Sequence, residues 1–245
     1  MNSWYSQDSD KELKDNEIHV WLNYLNVHQA RLKHLYPYLT DEEKERSERF
    51  KFYKHRKLFI ASHGFLHTTL SNYIDAPPGE IQFSHNKHGK PSIIEPLNPQ
   101  QISFNLSHSG HIAILAICKQ HNVGIDIEFK ERKTDWQGIS RRFFTEKEQN
   151  ALFNLPEDLR KDAFYQMWTR KEAHMKVTGQ GLSLAPTQFE VSVPPEPAEF
   201  LGTLKAEDNN FYKMQEINLP EMHSDYSACL SADFDFQNIT HYIQQ

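Results

Sequence analysis

The sequence predicts an α+β fold. Three observations carry that prediction: strand-like alternation at residues 17–25, 123–128, 211–218 and 226–234, helical spacing over residues 58–73 and around 161–178, and the grouping of the helical stretches apart from the strands. EIHVWLNYL, residues 17–25, reads as the first strand. Thr40 followed by Glu43 has the form of a capping box, in which side chain and backbone satisfy each other's donors where a helix starts. Leu58, Ser62, Phe65, Leu66, Thr69 and Tyr73 then recur at helical spacing until DAPPG ends the helix. IQFSHNKHGKP is a short strand and a turn. FNLSHSGHIAILAIC, residues 104–118, is expected to be a turn leading into a buried strand, with His121 and Asn122 turning the chain back into VGIDIE as a hairpin. Helices follow around RRFFTEKEQNALF and over DAFYQMWTRKEAHMKVTG, the latter closed by Gly179 at its C-cap. The prolines of PPEPAEF mark a loop, and residues 211–218 and 226–234 supply closing strands.

A chain of 245 residues, 38% hydrophobic and 12% aromatic, can bury a sizeable core. Its longest apolar run, IAILAIC at residues 112–118, is far short of the roughly 20 residues that span a bilayer. MNSWYSQDSDKELKDNE has no signal-peptide core and reads as a solvated extension over residues 1–17. Cys118 and Cys229 sit in apolar surroundings without metal-ligand spacing and are expected as reduced core residues, so the expected compartment is the cytoplasm, with no membrane partner. A formal charge of −6 argues against a general nucleic-acid binder. The charge is unevenly spread, because residues 44–57, KERSERFKFYKHRK, hold seven Lys or Arg against two Glu. That run is either a solvated helix face or a docking site for phosphate groups.

Two patterns bear on chemistry. In VGIDIE, residues 123–128, strand alternation sends Ile125 and Ile127 to one face and Asp126 and Glu128 together to the other. Such a like-charged pair needs solvent, basic residues or a cation to compensate it. In WTRKEAHMK, residues 168–176, Glu172 and Lys176 are four apart and share a helix face, with Trp168 one turn earlier. If that helix packs beside VGIDIE, Glu172 becomes a third carboxylate, a set that suits a hard cation such as Mg²⁺.

VGIDIE, FNLSHSG, NKHGKP, RRFFTEKE and WTRKEAHMKVTGQGLSL together resemble the signature blocks of the Sfp-type 4′-phosphopantetheinyl transferases, in family order over about residues 44–184. The resemblance implies Mg²⁺-dependent transfer of phosphopantetheine from coenzyme A to a serine of an apo acyl or peptidyl carrier protein. It further implies Asp126, Glu128 and Glu172 as metal ligands, Lys176 as general base, and Arg46, Arg56, Lys90, Ser107 and His108 as coenzyme A contacts. Two departures, His88 where the family commonly has Tyr or Phe and His63 near a common Arg, fall on the adenine side. The implied fold is two similar-sized α+β halves, residues 18–121 and 122–245, related by a pseudo-twofold with the site in the cleft, and a monomer as the working unit. Two rivals remain at this level: a Mg²⁺-dependent phosphodiesterase or pyrophosphatase, and a non-catalytic carrier-binding module. The first commonly places its lysine two residues after an acid on a strand, and the second has no need of Asp126, Glu128, Glu172 and Lys176 together.

Overall fold

The computed structural model describes residues 4–6, 12–130, 133–204 and 211–244. In the first part of the chain, β1 (Trp4–Ser6) and β2 (Glu17–Tyr24) precede three helices, α1 (Gln29–Leu35), α2 (Asp41–Glu48) and α3 (Tyr53–Leu70). The Thr40–Glu43 capping box opens α2 as its spacing predicts. A small hairpin of β3 (Phe83–His85) and β4 (Pro91–Ile93) leads to β5 (Ile102–Ser109) and β6 (Ile112–Lys119). The second part begins with β7 (Val123–Phe129) and continues through α4 (Trp136–Phe143), α5 (Glu146–Asn154) and the long α6 (Glu157–Thr178). A second small hairpin, β8 (Phe189–Val191) with β9 (Phe200–Thr203), leads to β10 (Lys213–Glu216), β11 (Tyr226–Ala232) and β12 (Asn238–Gln244).

The strands form a five-stranded sheet in the order β1-β12-β2-β6-β5 and a three-stranded sheet in the order β10-β11-β7. The antiparallel segments β2-β6-β5 and β7-β11-β10 follow the same rule: the first strand pairs with the last, which pairs with the one before it. Each part also places its long helix and a small hairpin between those strands, so the topology repeats where the residues do not.

The two sheets stack face to face. On one face of the larger sheet, Trp21, Leu115 and Ile117 pack with Phe65, Leu66 and Leu70 of α3. On the other, Val20, Leu22, Ile114 and Ala116 pack with Ile125, Ile127 and Leu230 of the smaller sheet. β6 is covered on both sides, which is why IAILAIC shows no polar alternation. Cys118 and Cys229 are buried and free, as expected. Among the described residues no helix is long and apolar enough to cross a membrane.

Four expectations need correction. Residues 104–109 are not a turn but most of β5, whose polar alternate positions face β7. β6 and β7 form no hairpin; the chain crosses between sheets at Asn122, tied by Asp233, and β7 pairs with β11. The region around RRFFTEKEQNALF is two helices, because Thr145 and Glu148 form a capping box that starts α5 afresh. β1 adds to β12 where a solvated extension was expected, and β12 in turn pairs with β2, so the larger sheet draws strands from both sides of residues 121–122.

Candidate active site

The glycine of VGIDIE explains how the helix and the strand come together. A Cβ at residue 124 would lie 2.2 Å from the carbonyl oxygen of Ala173 and 2.4 Å from the amide nitrogen of Val177, so only glycine lets α6 rest its backbone on β7. With Ile125 and Ile127 in the core, Asp126 is carried toward α6, as the alternation predicts. Asp126 is 4% exposed, and its Oδ1 accepts from Lys176 Nζ at 2.7 Å and from Ser107 Oγ at 2.9 Å. Lys176 also donates to Ser107 Oγ at 2.9 Å and to the carbonyl of Ile125 at 3.1 Å. Asp126 Oδ2 is buried and finds no hydrogen-bond partner among the described residues.

Glu128 accepts from Ser109 Oγ at 2.8 Å. Glu172, one helical turn before Lys176, has its pKa raised to about 7, chiefly by burial and then by the Asp126 charge; Lys176 opposes the shift and Glu128 adds to it. The three expected carboxylates therefore feel one another. Among the described residues, however, no three His, Cys, Asp or Glu side chains are gathered closely enough to cage a metal ion as they stand.

A cavity of about 290 Å³ opens beside these groups, lined by Glu172, Met175 and Lys176 of α6, Asn105 of β5 and the turn from His88 to Pro91. A second cavity of about 450 Å³ lies on the other side of that turn, sharing Gly89 and Pro91 and lined by Lys44, Arg46, His63 and His85. Arg46 stacks its guanidinium over Phe59 at 5.4 Å, and His63 lies on the same ring. The ring of His63 also bonds to Glu43, whose buried carboxylate is held well below the usual range by His63 and His67 against the cost of burial.

The remaining expected contacts are placed unevenly. His108 stays exposed beside the seam, where partial desolvation and the His63 and Lys176 charges lower its pKa. Arg56 lines neither cavity and reaches Glu48 at 3.7 Å. Lys90 turns inward, donating to the carbonyls of Val123 and Val177 at 3.2 Å each, with its pKa lowered to about 8 mainly by burial. It ties the start of β7 to the end of α6. Asn86 helps by donating to the carbonyl of Gly179, the left-handed residue that caps α6.

Sequence reasoning missed the other face of α6. Arg170 donates to Ser192 and to the carbonyl of Glu196, and Lys171, fully buried, pairs with Glu148 at 2.8 Å and donates to the carbonyls of Pro186 and Phe189. Advancing 100° per residue from Glu172 separates these two from the Glu172–Lys176 face and was the available signal.

Two family signatures match the chain in succession, "4′-phosphopantetheinyl transferase, N-terminal" over residues 26–120 and "4′-phosphopantetheinyl transferase superfamily" over residues 122–231. The 4′-phosphopantetheinyl transferase HetI of Nostoc sp. is 32% identical over 200 residues, 81% of this chain and 84% of that protein. The chain belongs to the 4′-phosphopantetheinyl transferase superfamily. Another relative in this superfamily, the 4′-phosphopantetheinyl transferase Sfp of Bacillus subtilis, is 32% identical over 154 residues, 63% of this chain and 66% of that protein. The solved holo-(acyl-carrier-protein) synthase of Bacillus anthracis overlaps 45% of this chain and 93% of its own at 17% identity, with a TM-score of 0.37, too slight an overlap to carry residue correspondences. As a 4′-phosphopantetheinyl transferase the chain is an enzyme, and the β7–α6 seam is its candidate catalytic centre.

Proposed function

We propose that this transferase moves the phosphopantetheine arm of coenzyme A onto a serine hydroxyl of an apo acyl or peptidyl carrier protein, using Mg²⁺ and leaving adenosine 3′,5′-bisphosphate. The observation that supports it most is the Asp126–Lys176–Ser107 cluster beside Glu172, next to one cavity that shares Gly89 and Pro91 with a second, lined by Arg46 and His63.

Two features of the carboxylates fit a divalent cation held by Asp126, Glu128 and Glu172. Asp126 Oδ2 is a buried acceptor in want of a partner among the described residues, and Glu172 is crowded by two like charges. When bound, Mg²⁺ neutralises pyrophosphate oxygens and the charge developing on the leaving bisphosphate. The chain's own groups do the rest. Arg46 and Lys44 offer cationic donors to phosphate in the larger cavity, where His63 and Phe59 give the nucleotide an aromatic wall. His108, which feels the charges of both His63 and Lys176, takes a phosphate contact in this reading. Lys176 is the group positioned to take the serine proton as the serine oxygen attacks phosphorus and the bond to the bisphosphate breaks. To do so its ammonium must first give up a proton to solvent, which loosens its pairing with Asp126, while Ser107 is bonded to both groups. In this reading Lys90 ties the start of β7 to the end of α6, while Arg56 keeps only a surface pair with Glu48. All of these side chains belong to one chain, so a monomer suffices.

The test is mass spectrometry of a panel of apo carriers incubated with the protein, coenzyme A and Mg²⁺. Wild type should add phosphopantetheine to at least one carrier. Asp126→Ala and Glu172→Gln should each lose about a thousandfold in turnover, several kcal/mol of transition-state stabilisation, while remaining folded. Release of adenosine bisphosphate with no modified carrier would replace this reading by a hydrolytic one.

A further inference from the structure

β5 and β7 lie in different sheets and share no backbone ladder, yet the carboxylates of β7 take hydrogen bonds from β5. The stripe that supplies them is N-x-S-x-S. Strand alternation puts Asn105, Ser107 and Ser109 on one face of β5, while Ile102, Phe104 and Leu106 join the core beneath α3. Asn105 Oδ1 accepts from the amide of Ile125 at 2.9 Å, Ser107 Oγ donates to Asp126, and Ser109 Oγ donates to Glu128 Oε2 at 2.8 Å. Ser109 Oγ also accepts from the amide of Phe129 at 3.1 Å. That last bond matters because a hydroxyl has one proton and rotates freely unless something fixes it. With its lone pair engaged by the β7 backbone, the Ser109 hydroxyl has a set direction, and its proton points at the carboxylate of the preceding residue.

We infer that Ser109 is a positioning residue for Glu128: its main-chain-anchored hydroxyl sets the carboxylate that the proposed function assigns to the cation. The inference rests on that assignment. A group that holds a metal ligand through a hydrogen bond changes metal affinity by about 10- to 100-fold when removed. Ser107 has a different task, since it is shared between Asp126 and Lys176, whereas the carboxylate that Ser109 reaches is Glu128, its other partner being the amide of Phe129.

The experiment is titration of the full chain with Mn²⁺ alone, free ion being counted by electron paramagnetic resonance, for wild type, Ser109→Ala, Ser109→Thr, Glu128→Ala and the Ser109→Ala/Glu128→Ala double variant. Ser109→Ala should weaken Mn²⁺ about tenfold. Ser109→Thr, which keeps the hydroxyl, should bind within about threefold of wild type, and Ser109→Ala should add nothing once Glu128 is gone. Mn²⁺ binding by Ser109→Ala equal to wild type overturns the inference and leaves the cation assignment standing, as does an undiminished loss in the double variant. Absence of Mn²⁺ binding in wild type overturns both. Should Ser109→Ala fail to fold, Ser109→Cys, near-isosteric with a weak donor, takes its place under the same criteria.

Discussion

The two halves build the same seam from opposite materials. In the first, the β2 positions facing α3 are His19 and Trp21; in the second, the β7 positions facing α6 are Gly124 and Asp126. Trp21 donates its indole N–H to Tyr73 Oη at 2.7 Å and stacks on Tyr242 at 4.5 Å. The Tyr73 hydroxyl donates a hydrogen bond to His19 Nδ1 at 2.7 Å, an arrangement that needs a neutral imidazole, and burial holds that imidazole's pKa down to about 4. This seam is bulky and aromatic, and its His19 stays neutral with Glu17 3.6 Å away. The other replaces bulk with glycine, brings the helix backbone onto the strand and lines the gap with three carboxylates and a lysine. One frame thus serves stability on one side and chemistry on the other, and the chemical side carries charge crowding that the aromatic side avoids.

The sharpest way to break the comparison is to put bulk where the second seam has none. Gly124→Ala should lower turnover more than a hundredfold and cost about 1–3 kcal/mol, because the new methyl meets helix backbone that must move and carry Lys176 with it. Carrier modification rates and urea unfolding measure the two effects; an active Gly124→Ala would mean that the close approach does not set the site.

The converse change, Trp21→Ala, should cost about 3–5 kcal/mol by emptying a fully buried site, yet leave the turnover of the folded fraction within about twofold. Active-site titration beside a melting curve separates those outcomes.

The pH dependence of stability sharpens the contrast further. Glu172 has an ordinary value of 4.5 and is raised to about 7 in the fold, so between those values the native protein holds a proton that the unfolded chain has lost. The Glu172 contribution is therefore fully present below 4.5 and is lost as pH rises through about 7. Unfolding monitored from pH 4.5 to 8 should show that decline in wild type, and Glu172→Gln should remove it. Added Mg²⁺ should flatten it as well, since a cation that binds the ionised carboxylate restores what charging loses.

The smallest effect separates two arginines of the basic run. Arg46→Ala should raise the KM for coenzyme A about tenfold by removing a charge-assisted contact, while Arg56→Ala, which loses only a surface pair with Glu48, should change it less than twofold. Equal effects would return the whole run to one role.

Much of this was legible because it is local. The alternation of VGIDIE, the capping box at Thr40 and the cap at Gly179 are decided within a few residues, and each forms as read. What escaped was decided by distant partners. FNLSHSG has the polar composition of a turn, and only the presence of β7 beside it makes those polar positions the inner face of a strand. The bonds of Lys90 to the carbonyls of Val123 and Val177 could not be read either, because no spacing rule connects those residues to it. The topological repeat was hidden for the same reason: the shared rule is one of pairing order, and the residues at matching positions have been chosen for opposite purposes.

The return of β12 to the side of β2 makes the molecule a clasp. Because the last strand of the second half completes the sheet of the first, neither half is a finished piece. A chain opened at the crossing between residues 121 and 122 yields two fragments, one carrying an uncovered β2 edge and the other carrying the strand that fits it. Such fragments carry matching strand edges, and mixing the two separately expressed pieces should restore the larger sheet.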